Sequence, residues 1–152
     1  MERVITGMSG GVDSAVAAYL LQLAGYDVIG VTLRSWAGAS GEDSRCCEIS
    51  DARRICNVLN VPYYVHNCFG QFKDMVTDPF IKDYIEGITP NPCIECNRHV
   101  KWERMLNMAD TMQAEYVATG HYASVVRLDS GRYTVKRAEH ADKDQTYMLY
   151  KL

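Results

Sequence analysis

Short apolar runs alternate with amphipathic stretches along most of the chain. Four runs are apolar at nearly every position, which is typical of parallel strands buried on both faces. They are residues 4–6, 28–33, 63–66 and 117–119. The stretches between them predict helices that end near residue 24, cover about 51–59, and lie between about 71 and 86 and between 97 and 112. This alternation predicts an α/β fold, a doubly wound parallel sheet with ligands outside the carboxyl ends of its strands.

A short β-hairpin is predicted after the last of these strands. Residues 123–128 and 132–137 are two β-rich runs, and Asp129-Ser130-Gly131 between them is typical of a tight turn. The fold class predicted for the whole chain is therefore α/β with a short C-terminal β-hairpin.

A glycine-rich segment joins the first predicted strand to the first predicted helix. It consists of Gly7, Met8, Ser9, Gly10, Gly11, Val12, Asp13 and Ser14. Glycines allow positive φ and a close approach of the backbone to a phosphate, and the N–H groups of the first helical turn point toward an anion. The hydroxyls of Ser9 and Ser14 can donate as well. The segment predicts a nucleotide site, and an ordinary glycine turn is the alternative.

Two familiar phosphate-binding loops do not fit these residues. A Walker loop needs Lys-Ser or Lys-Thr after its last glycine, whereas Val12 and Asp13 follow Gly11. A dinucleotide fingerprint needs G-x-G-x-x-G, and the spacing here is G-x-x-G-G.

A pair of cysteines forms the second candidate site. Cys93 and Cys96 follow Pro90 and Pro92, and Asn97 can cap the helix predicted after them. A helix N-terminus favours the thiolate, which is the form that attacks electrophiles and ligates metals. Half of a zinc site, a redox pair and two incidental loop cysteines remain alternatives.

Composition places the chain among ordinary globular proteins. It has 152 residues, of which 47% are hydrophobic and 23% charged, and a formal net charge of −3. No apolar stretch is long enough to span a membrane, and Met1-Glu2-Arg3 leads directly into a strand rather than a signal peptide. We therefore expect a cytoplasmic protein with no membrane segment, in which the six cysteines are mostly reduced thiols.

Residues 9–14 resemble the PP-loop of the ATP pyrophosphatase superfamily. Together with residues 87–102, they make the chain similar to the tRNA-specific 2-thiouridylase family, and residues 61–65, 118–123 and 143–150 agree with that family as well. The resemblance implies ATP-dependent 2-thiolation of the wobble uridine of tRNA. ATP adenylates the C2 carbonyl oxygen of the base, and a sulfur species then displaces AMP.

The resemblance also implies roles for individual residues. Residues 7–14 bind the phosphates of ATP, with Asp13 holding Mg²⁺, while Leu33 and Gly120 hold the adenosine. Cys96 occupies the position of the first catalytic cysteine. The target base is lined by Asn91, Pro92 and Cys93, and tRNA is contacted by Lys143, Asp144 and Gln145.

Cys93 departs from the best-known pattern of the family, in which many members have Asp at this position. The Asp version works by a persulfide relay, whereas the Cys version resembles a subgroup that uses a [4Fe-4S] cluster. Cys93 and Cys96 would supply two ligands, and the third would lie outside this chain, because no cysteine follows Cys96. The sulfur donor is either a protein persulfide carrier or hydrosulfide.

The resemblance further implies that this chain is the N-terminal portion of a longer enzyme. We expect residues 1–141 to form the ATP-binding catalytic domain and residues 142–152 to begin a helix that leads into a central domain absent from this chain. The fragment alone is expected to be inactive and, with its net charge of −3, to bind tRNA weakly. Arg98, Lys101 and Arg104 form one basic stripe, for which a solvated helix face is the alternative.

Three further assignments concern single residues. Cys46 and Cys47 are interpreted as packing residues after the second strand, and Cys56 and Cys68 as core thiols. His121 follows Gly120 at a strand end and is a candidate neighbour of the nucleotide.

Two other functions stay open: another PP-loop ATP-dependent ligase or synthetase, and a noncatalytic nucleotide-binding fragment.

Overall fold

A four-stranded parallel sheet forms the centre of the molecule. The computed structural model describes residues 1–36 and 48–152, so the predictions for Cys46 and Cys47 lie outside the described residues. The strands are β1 (Arg3–Gly7), β2 (Asp27–Arg34), β3 (Tyr63–Asn67) and β4 (Tyr116–Ala118), arranged in the order β3-β2-β1-β4. All three pairings in this sheet are parallel. The α/β prediction is therefore confirmed.

Six α-helical segments accompany the sheet in the described part of the chain. They are α1 (Val12–Leu23), α2 (Ile49–Val58), α3 (Phe69–Phe72), α4 (Asp78–Ile85), α5 (Pro92–Glu95) and α6 (Glu103–Met112). A π-helical segment, Lys73–Thr77, joins α3 to α4, and a second one, Cys96–Trp102, joins α5 to α6. The predicted single helix between residues 71 and 86 is thus one continuous helical run of mixed type.

The helix that carries the cysteines begins earlier than the sequence predicted. Asn91 is its N-cap, and its side-chain oxygen accepts a hydrogen bond from the Cys93 N–H at 3.1 Å. Pro92 occupies the first helical position, where its missing N–H costs nothing. The assignment of Asn97 as the cap was therefore wrong, because Asn97 lies one turn inside the helical run.

Helices cover both faces of the sheet. Neighbouring residues of a strand point to opposite faces, so Val4 and Val28 pack with α1 and α2 on one face. On the other face, Ile5 and Ile29 pack with Met105 of α6. This arrangement confirms the doubly wound sheet.

Strand order places a natural ligand site between β1 and β4. The chain proceeds from β1 outward to β2 and β3 and then returns to the other side of β1 with β4. At such a reversal the loops that follow the two strands diverge and leave a crevice at their carboxyl ends. The glycine-rich segment follows β1, and residues 119–121 follow β4.

Two cysteines are core residues, as predicted. Cys56 is fully buried on the inner face of α2, and Cys68 is buried at the start of α3. A Cβ on Gly30 of β2 would lie 2.6 Å from the Cys56 sulfur, so the helix approaches the strand closely here. Burial raises the pKa of the Cys56 thiol, which keeps it protonated and unreactive.

The C-terminal region confirms the hairpin and corrects the predicted helix. Strands β5 (Ser124–Arg127) and β6 (Tyr133–Lys136) form an antiparallel pair. After them the chain forms two short 3₁₀ turns, Ala141–Lys143 and Thr146–Met148, rather than the start of an α-helix. Both carboxylate oxygens of Asp144 accept hydrogen bonds, one from the Ala138 N–H and one from the Thr146 hydroxyl, and these bonds favour turns. The domain boundary near residue 141 stays a prediction.

Among residues 1–36 and 48–152, no helix combines the length and the apolar character that crossing a bilayer requires.

Candidate functional site

A cleft of about 250 Å³ opens at the carboxyl ends of β1 and β4. Seven predicted nucleotide-binding residues line it: Gly7, Met8, Ser9, Asp13, Ser14, Leu33 and Gly120. Gln145, one of the predicted tRNA contacts, lines it too. The reversal of strand order therefore brings together residues that are more than a hundred positions apart in the sequence.

Hydrogen bonds among its own residues shape the glycine-rich loop. The Ser14 hydroxyl donates to the Gly11 carbonyl at 3.0 Å and accepts from the Ser9 N–H at 3.2 Å. The two serine hydroxyls lie 3.1 Å apart, and the Ser9 oxygen accepts from the Gly11 N–H. Both hydroxyls thus hold the loop in shape, whereas the sequence had assigned them only to a phosphate.

Gly10 and Gly120 stand where no other residue fits. Gly10 has a φ of +86°, and a Cβ there would lie 2.8 Å from the Glu48 carbonyl oxygen. A Cβ on Gly120 would lie 2.7 Å from the Ser14 nitrogen and 2.8 Å from the Asp13 carbonyl carbon. The end of β4 therefore presses directly on the first turn of α1.

The start of α1 supplies N–H donors without partners of its own. The first N–H groups of any α-helix lack intrahelical acceptors, and the N-cap residue Gly11 has no side chain to satisfy them. A helix end of this kind, beside the cleft and after a glycine turn, fits an anionic group such as a phosphate.

Three of the predicted nucleotide-binding residues do not line the cleft. Gly10, Gly11 and Val12 belong to the loop but are absent from the cleft wall. The Val12 side chain is 76% exposed and points away from the core, so only its backbone N–H is suited to a ligand.

Lys101 and His121 bring a charge and a titratable group to the cleft. Both line the cleft, together with Met105 and Thr119. His121 Nδ1 lies 2.8 Å from the Thr119 hydroxyl. Burial and, to a smaller extent, the charge of Lys101 lower the pKa of His121 to about 4, so its imidazole is neutral near pH 7.

Lys101 was missed as a cleft residue, although the sequence carries a signal for it. It belongs to the basic stripe with Arg98 and Arg104, and only the packing of the helical run against the sheet selects it from the three. Arg104 instead bonds through its Nε to the side-chain oxygen of Gln71.

The two candidate cysteines lie on adjoining turns of one helical run. Cys93 is exposed and Cys96 is partly buried. Cys96 packs against a small core of Cys68, Val76 and Val100, and Leu33 packs against the same core. Neither cysteine lines the cleft itself, but Leu33 does, so Cys96 and the cleft share a supporting wall.

Asn97 stabilises the turn that carries these cysteines. Its side chain is fully buried, and its amide donates to the Cys93 carbonyl at 2.9 Å. Between the cysteines, Glu95 pairs with Lys151 at 2.5 Å, and this hydrogen bond lowers the pKa of the Glu95 carboxyl. The cysteine turn is thus held from inside by Asn97 and from outside by the C-terminal residues.

The described residues offer an incomplete ligand set for an iron-sulfur cluster. Cys93 and Cys96 could contribute two thiolates, but residues 1–36 and 48–152 contain no group of three His, Cys, Asp or Glu side chains suited to one metal ion. Cluster ligation needs more thiolates than these two, so the described residues by themselves do not fit a [4Fe-4S] cluster.

The predicted tRNA-contacting segment lies against the glycine loop through Tyr122. The Tyr122 hydroxyl donates to Asp13 at 2.8 Å, and the Lys143 ammonium lies 5.4 Å from the centre of the Tyr122 ring. Sequence reasoning gave no role to Tyr122, because its partners are far away in the chain.

Comparison with known proteins decides the family. A family model described as the tRNA methyl transferase HUP domain matches residues 2–152. The chain belongs to this family. Proteins named tRNA-specific 2-thiouridylase MnmA are among its relatives, with 54% identity in Lachnoclostridium phytofermentans, 50% in Clostridium beijerinckii and 49% in Clostridioides difficile. These matches confirm the resemblance found in the sequence.

The chain spans less than half the length of these relatives. The match to the Lachnoclostridium protein covers 100% of this chain and 44% of that one, and the match to the Clostridium beijerinckii protein covers 98% and 43%.

Solved structures agree with the fold. A U34-tRNA thiolase, NcsA from Methanococcus maripaludis with its [4Fe-4S] cluster, superposes with a TM-score of 0.57 at 23% identity, over 79% of this chain and 38% of that one. A predicted subunit of tRNA methyltransferase from Methanocaldococcus jannaschii gives a TM-score of 0.52 at 16% identity, over 85% and 55%. At these identities the likeness concerns the fold alone.

Proposed function

We propose that this chain is the ATP-binding part of an enzyme that replaces the C2 oxygen of the tRNA wobble uridine with sulfur. The observation that carries the proposal is the cleft between β1 and β4. It joins a glycine loop, an open helix N-terminus and the wall shared with Cys96, in a family whose relatives are named for this reaction.

Carbonyl chemistry explains why both parts of the site are needed. The C2 oxygen of uridine leaves poorly as oxide, so it must first be converted into a better leaving group. Transfer of AMP from ATP to that oxygen releases pyrophosphate. Sulfur then attacks C2, and the oxygen departs with AMP.

Different residues of the cleft would bind different parts of ATP. The N–H groups at the start of α1 suit the phosphates, and Lys101 adds a positive charge to the lining of the cleft. The Asp13 carboxylate is the oxygen ligand suited to Mg²⁺. Gly120 lets the end of β4 pack against the first turn of α1 beside the phosphates, and Leu33 offers an apolar surface to the adenosine.

The cysteine turn is suited to deliver sulfur. Exposed Cys93 and partly buried Cys96 lie at the start of a helical run, so the Cys93 side chain is open to a substrate and Cys96 lies one turn behind it. Asn91, Pro92 and Cys93 would then meet the target base. The sulfur comes from a persulfide carrier protein or from hydrosulfide, and a [4Fe-4S] cluster would require ligands beyond the described residues.

Binding of tRNA needs positive charge that this chain carries only locally. Its net charge is −3, so Lys143 and Arg98 are candidate phosphate contacts in an otherwise acidic molecule, and further basic surface must come from elsewhere. Because the substrate is tRNA, we also infer a cytoplasmic protein.

The experiment that tests this function replaces Asp13 in the full-length protein. Asp13→Ala should lower ATP-dependent formation of 2-thiouridine by at least tenfold, since a magnesium ligand of the nucleotide is lost. Asp129→Ala, which removes an exposed carboxylate from the hairpin turn, is the matched control. Nucleoside mass spectrometry of the treated tRNA measures the product.

Replacing the cysteines separates the remaining functions. Cys96→Ser should abolish 2-thiouridine while tRNA-dependent cleavage of ATP to AMP continues. If the unaltered protein cleaved ATP to AMP without forming 2-thiouridine, and Cys93→Ser and Cys96→Ser left that cleavage intact, a PP-loop ligase or synthetase would fit better. Cys93→Asp distinguishes the two sulfur routes. If sulfur passes through a persulfide relay, the variant should still form 2-thiouridine. If a cluster is required, the variant loses a cluster ligand and should form none.

A further inference from the structure

Tyr122 makes contacts in two directions. Toward the cleft, its hydroxyl donates to Asp13 Oδ1 at 2.8 Å. Toward the C-terminal turns, its N–H donates to the Gln145 side-chain oxygen and its carbonyl accepts from the Gln145 N–H, each at 2.9 Å. Tyr122 therefore bridges the glycine loop and the segment Lys143 to Gln145, which we call the C-terminal strap.

The contact with Asp13 fixes a side chain that would otherwise rotate freely. Asp13 is exposed in the first turn of α1, and the tyrosine hydroxyl holds one carboxylate oxygen while leaving the second available to a ligand. A tyrosine hydroxyl is protonated at neutral pH, so it donates to the carboxylate.

The contacts with the strap couple its position to that of the tyrosine. Two hydrogen bonds join the main chain of Tyr122 to Gln145, so neither residue can move far without the other. The Lys143 ammonium lies 5.4 Å from the centre of the Tyr122 ring, where a cation is attracted by the ring face. An RNA phosphate that binds Lys143 competes for the same cation and alters the contact with the ring.

We propose that Tyr122 is a positioning residue that couples nucleotide binding at Asp13 to tRNA binding at the C-terminal strap. This inference rests on the proposed function, which assigns ATP to the cleft and tRNA to the strap. Magnesium-bound nucleotide at Asp13 favours one arrangement of the tyrosine, and the strap then presents Lys143 and Gln145 in the arrangement that tRNA binds. By linkage, bound tRNA must strengthen nucleotide binding by the same factor.

The test measures that factor in the full-length protein. The affinity for an unmodified tRNA transcript is determined with and without an Mg²⁺-bound ATP analogue whose α and β phosphates are joined by a methylene group. We expect the analogue to tighten tRNA binding on the order of tenfold in the unaltered protein. Tyr122→Phe, which removes only the hydroxyl, should reduce the factor to near one.

Tyr133→Phe is the matched control, because Tyr133 is an exposed tyrosine on β6. It should leave the factor unchanged. Thermal unfolding without ligands checks that both variants are folded, and a ratio of affinities is insensitive to a uniform loss of tRNA binding. A purely structural role for Tyr122 would lower stability and leave the factor as it was.

The outcomes separate this inference from the proposed function. The inference is overturned if the analogue binds and tightens tRNA binding by the same factor in Tyr122→Phe as in the unaltered protein. It is also overturned if the analogue binds to the unaltered protein without tightening tRNA binding. In both cases the ATP site stands. If the unaltered protein binds no analogue at all, the proposed function fails and the inference fails with it.

Discussion

At the scale of single residues, the shape of the cleft depends on the absence of a side chain at Gly120 and on the hydroxyl of Ser14. Gly120 has no Cβ, and the end of β4 can therefore touch the backbone of Asp13 and Ser14. Ser14 in turn uses its hydroxyl to hold Gly11. A change at either position shifts the start of α1, which is the part of the cleft suited to phosphate.

Gly120→Ala should lower stability and weaken nucleotide binding together. The new Cβ would lie 2.7 Å from a backbone nitrogen that cannot rotate away, so we expect a loss of about 1–3 kcal/mol in the free energy of unfolding. Denaturant unfolding and nucleotide titration measure the two effects. Gly70→Ala is the control, because a Cβ on this helical glycine meets no atom within 4 Å, and it should be neutral or slightly stabilising. Unchanged stability and binding in Gly120→Ala would contradict the close packing.

His121 should make stability depend on pH. Its folded pKa of about 4 is below the ordinary value of 6.5, so the unfolded chain takes up a proton first as pH falls. Stability is fully present above pH 6.5 and is lost as pH falls toward 4. The full shift corresponds to about 3 kcal/mol, which partial exposure reduces to about 1–2 kcal/mol.

Unfolding by denaturant between pH 4.5 and 7.5 measures this loss. In His121→Gln this loss of stability at low pH should disappear. In His140→Gln, which changes an exposed histidine, the loss should be the same as in the unaltered protein. An equal pH dependence in the unaltered protein and in His121→Gln would show that other groups cause the loss.

Sequence alone predicted most of the residues of the cleft, but not how they are held. The glycine loop carries a recognisable pattern, because a close approach of the backbone to a phosphate favours glycine. Leu33 and Gly120 were assigned only through the resemblance to the family. The bond between Tyr122 and Asp13 joins residues 109 positions apart, and nothing local marks it. The pairing of Ser9 with Ser14 also depends on the folded turn.

At the scale of elements, the cysteine-bearing helical run shows why boundaries are harder to predict than the elements themselves. Both Asn91 and Asn97 are residue types that cap helices. The choice between them depends on Pro92, which starts the helix, and on burial of Asn97 against the sheet side of the run. Side-chain hydrogen bonds also explain the two 3₁₀ turns after residue 140. Asp144 accepts hydrogen bonds from Ala138 and Thr146 and does not cap an α-helix.

Asn97→Ala should loosen the turn that carries Cys93 and Cys96. It deletes the buried hydrogen bond to the Cys93 carbonyl and should cost about 1–3 kcal/mol. Denaturant unfolding measures this cost, and the rate of alkylation of Cys96 should rise because the turn opens more often. Asn107→Ala, at an exposed position of α6, should change stability by less than about 0.5 kcal/mol. Equal costs for the two variants would mean that the buried amide does not stabilise the turn.

At the scale of the whole molecule, the cleft at the carboxyl ends of β1 and β4, the wall of Cys96 and the C-terminal strap lie on one side of the molecule. The four-stranded order with its reversal beside β1 produces this grouping. The pattern of apolar runs predicted the parallel sheet, but pairing between strands is a long-range property, so the position of β4 became known only from the structure. The net charge of −3 then confines any tRNA contact of this chain to local groups of Lys and Arg.

In the proposed reaction, ATP activates the same carbonyl oxygen that sulfur replaces. This step is tested most directly by placing oxygen-18 at C2 of the wobble uridine in a tRNA substrate, treating it with the full-length protein, ATP and a sulfur donor, and analysing the products by mass spectrometry. We expect one oxygen-18 atom in AMP for each 2-thiouridine formed. Recovery of the label in water or pyrophosphate, with unlabelled AMP, would contradict the proposed reaction.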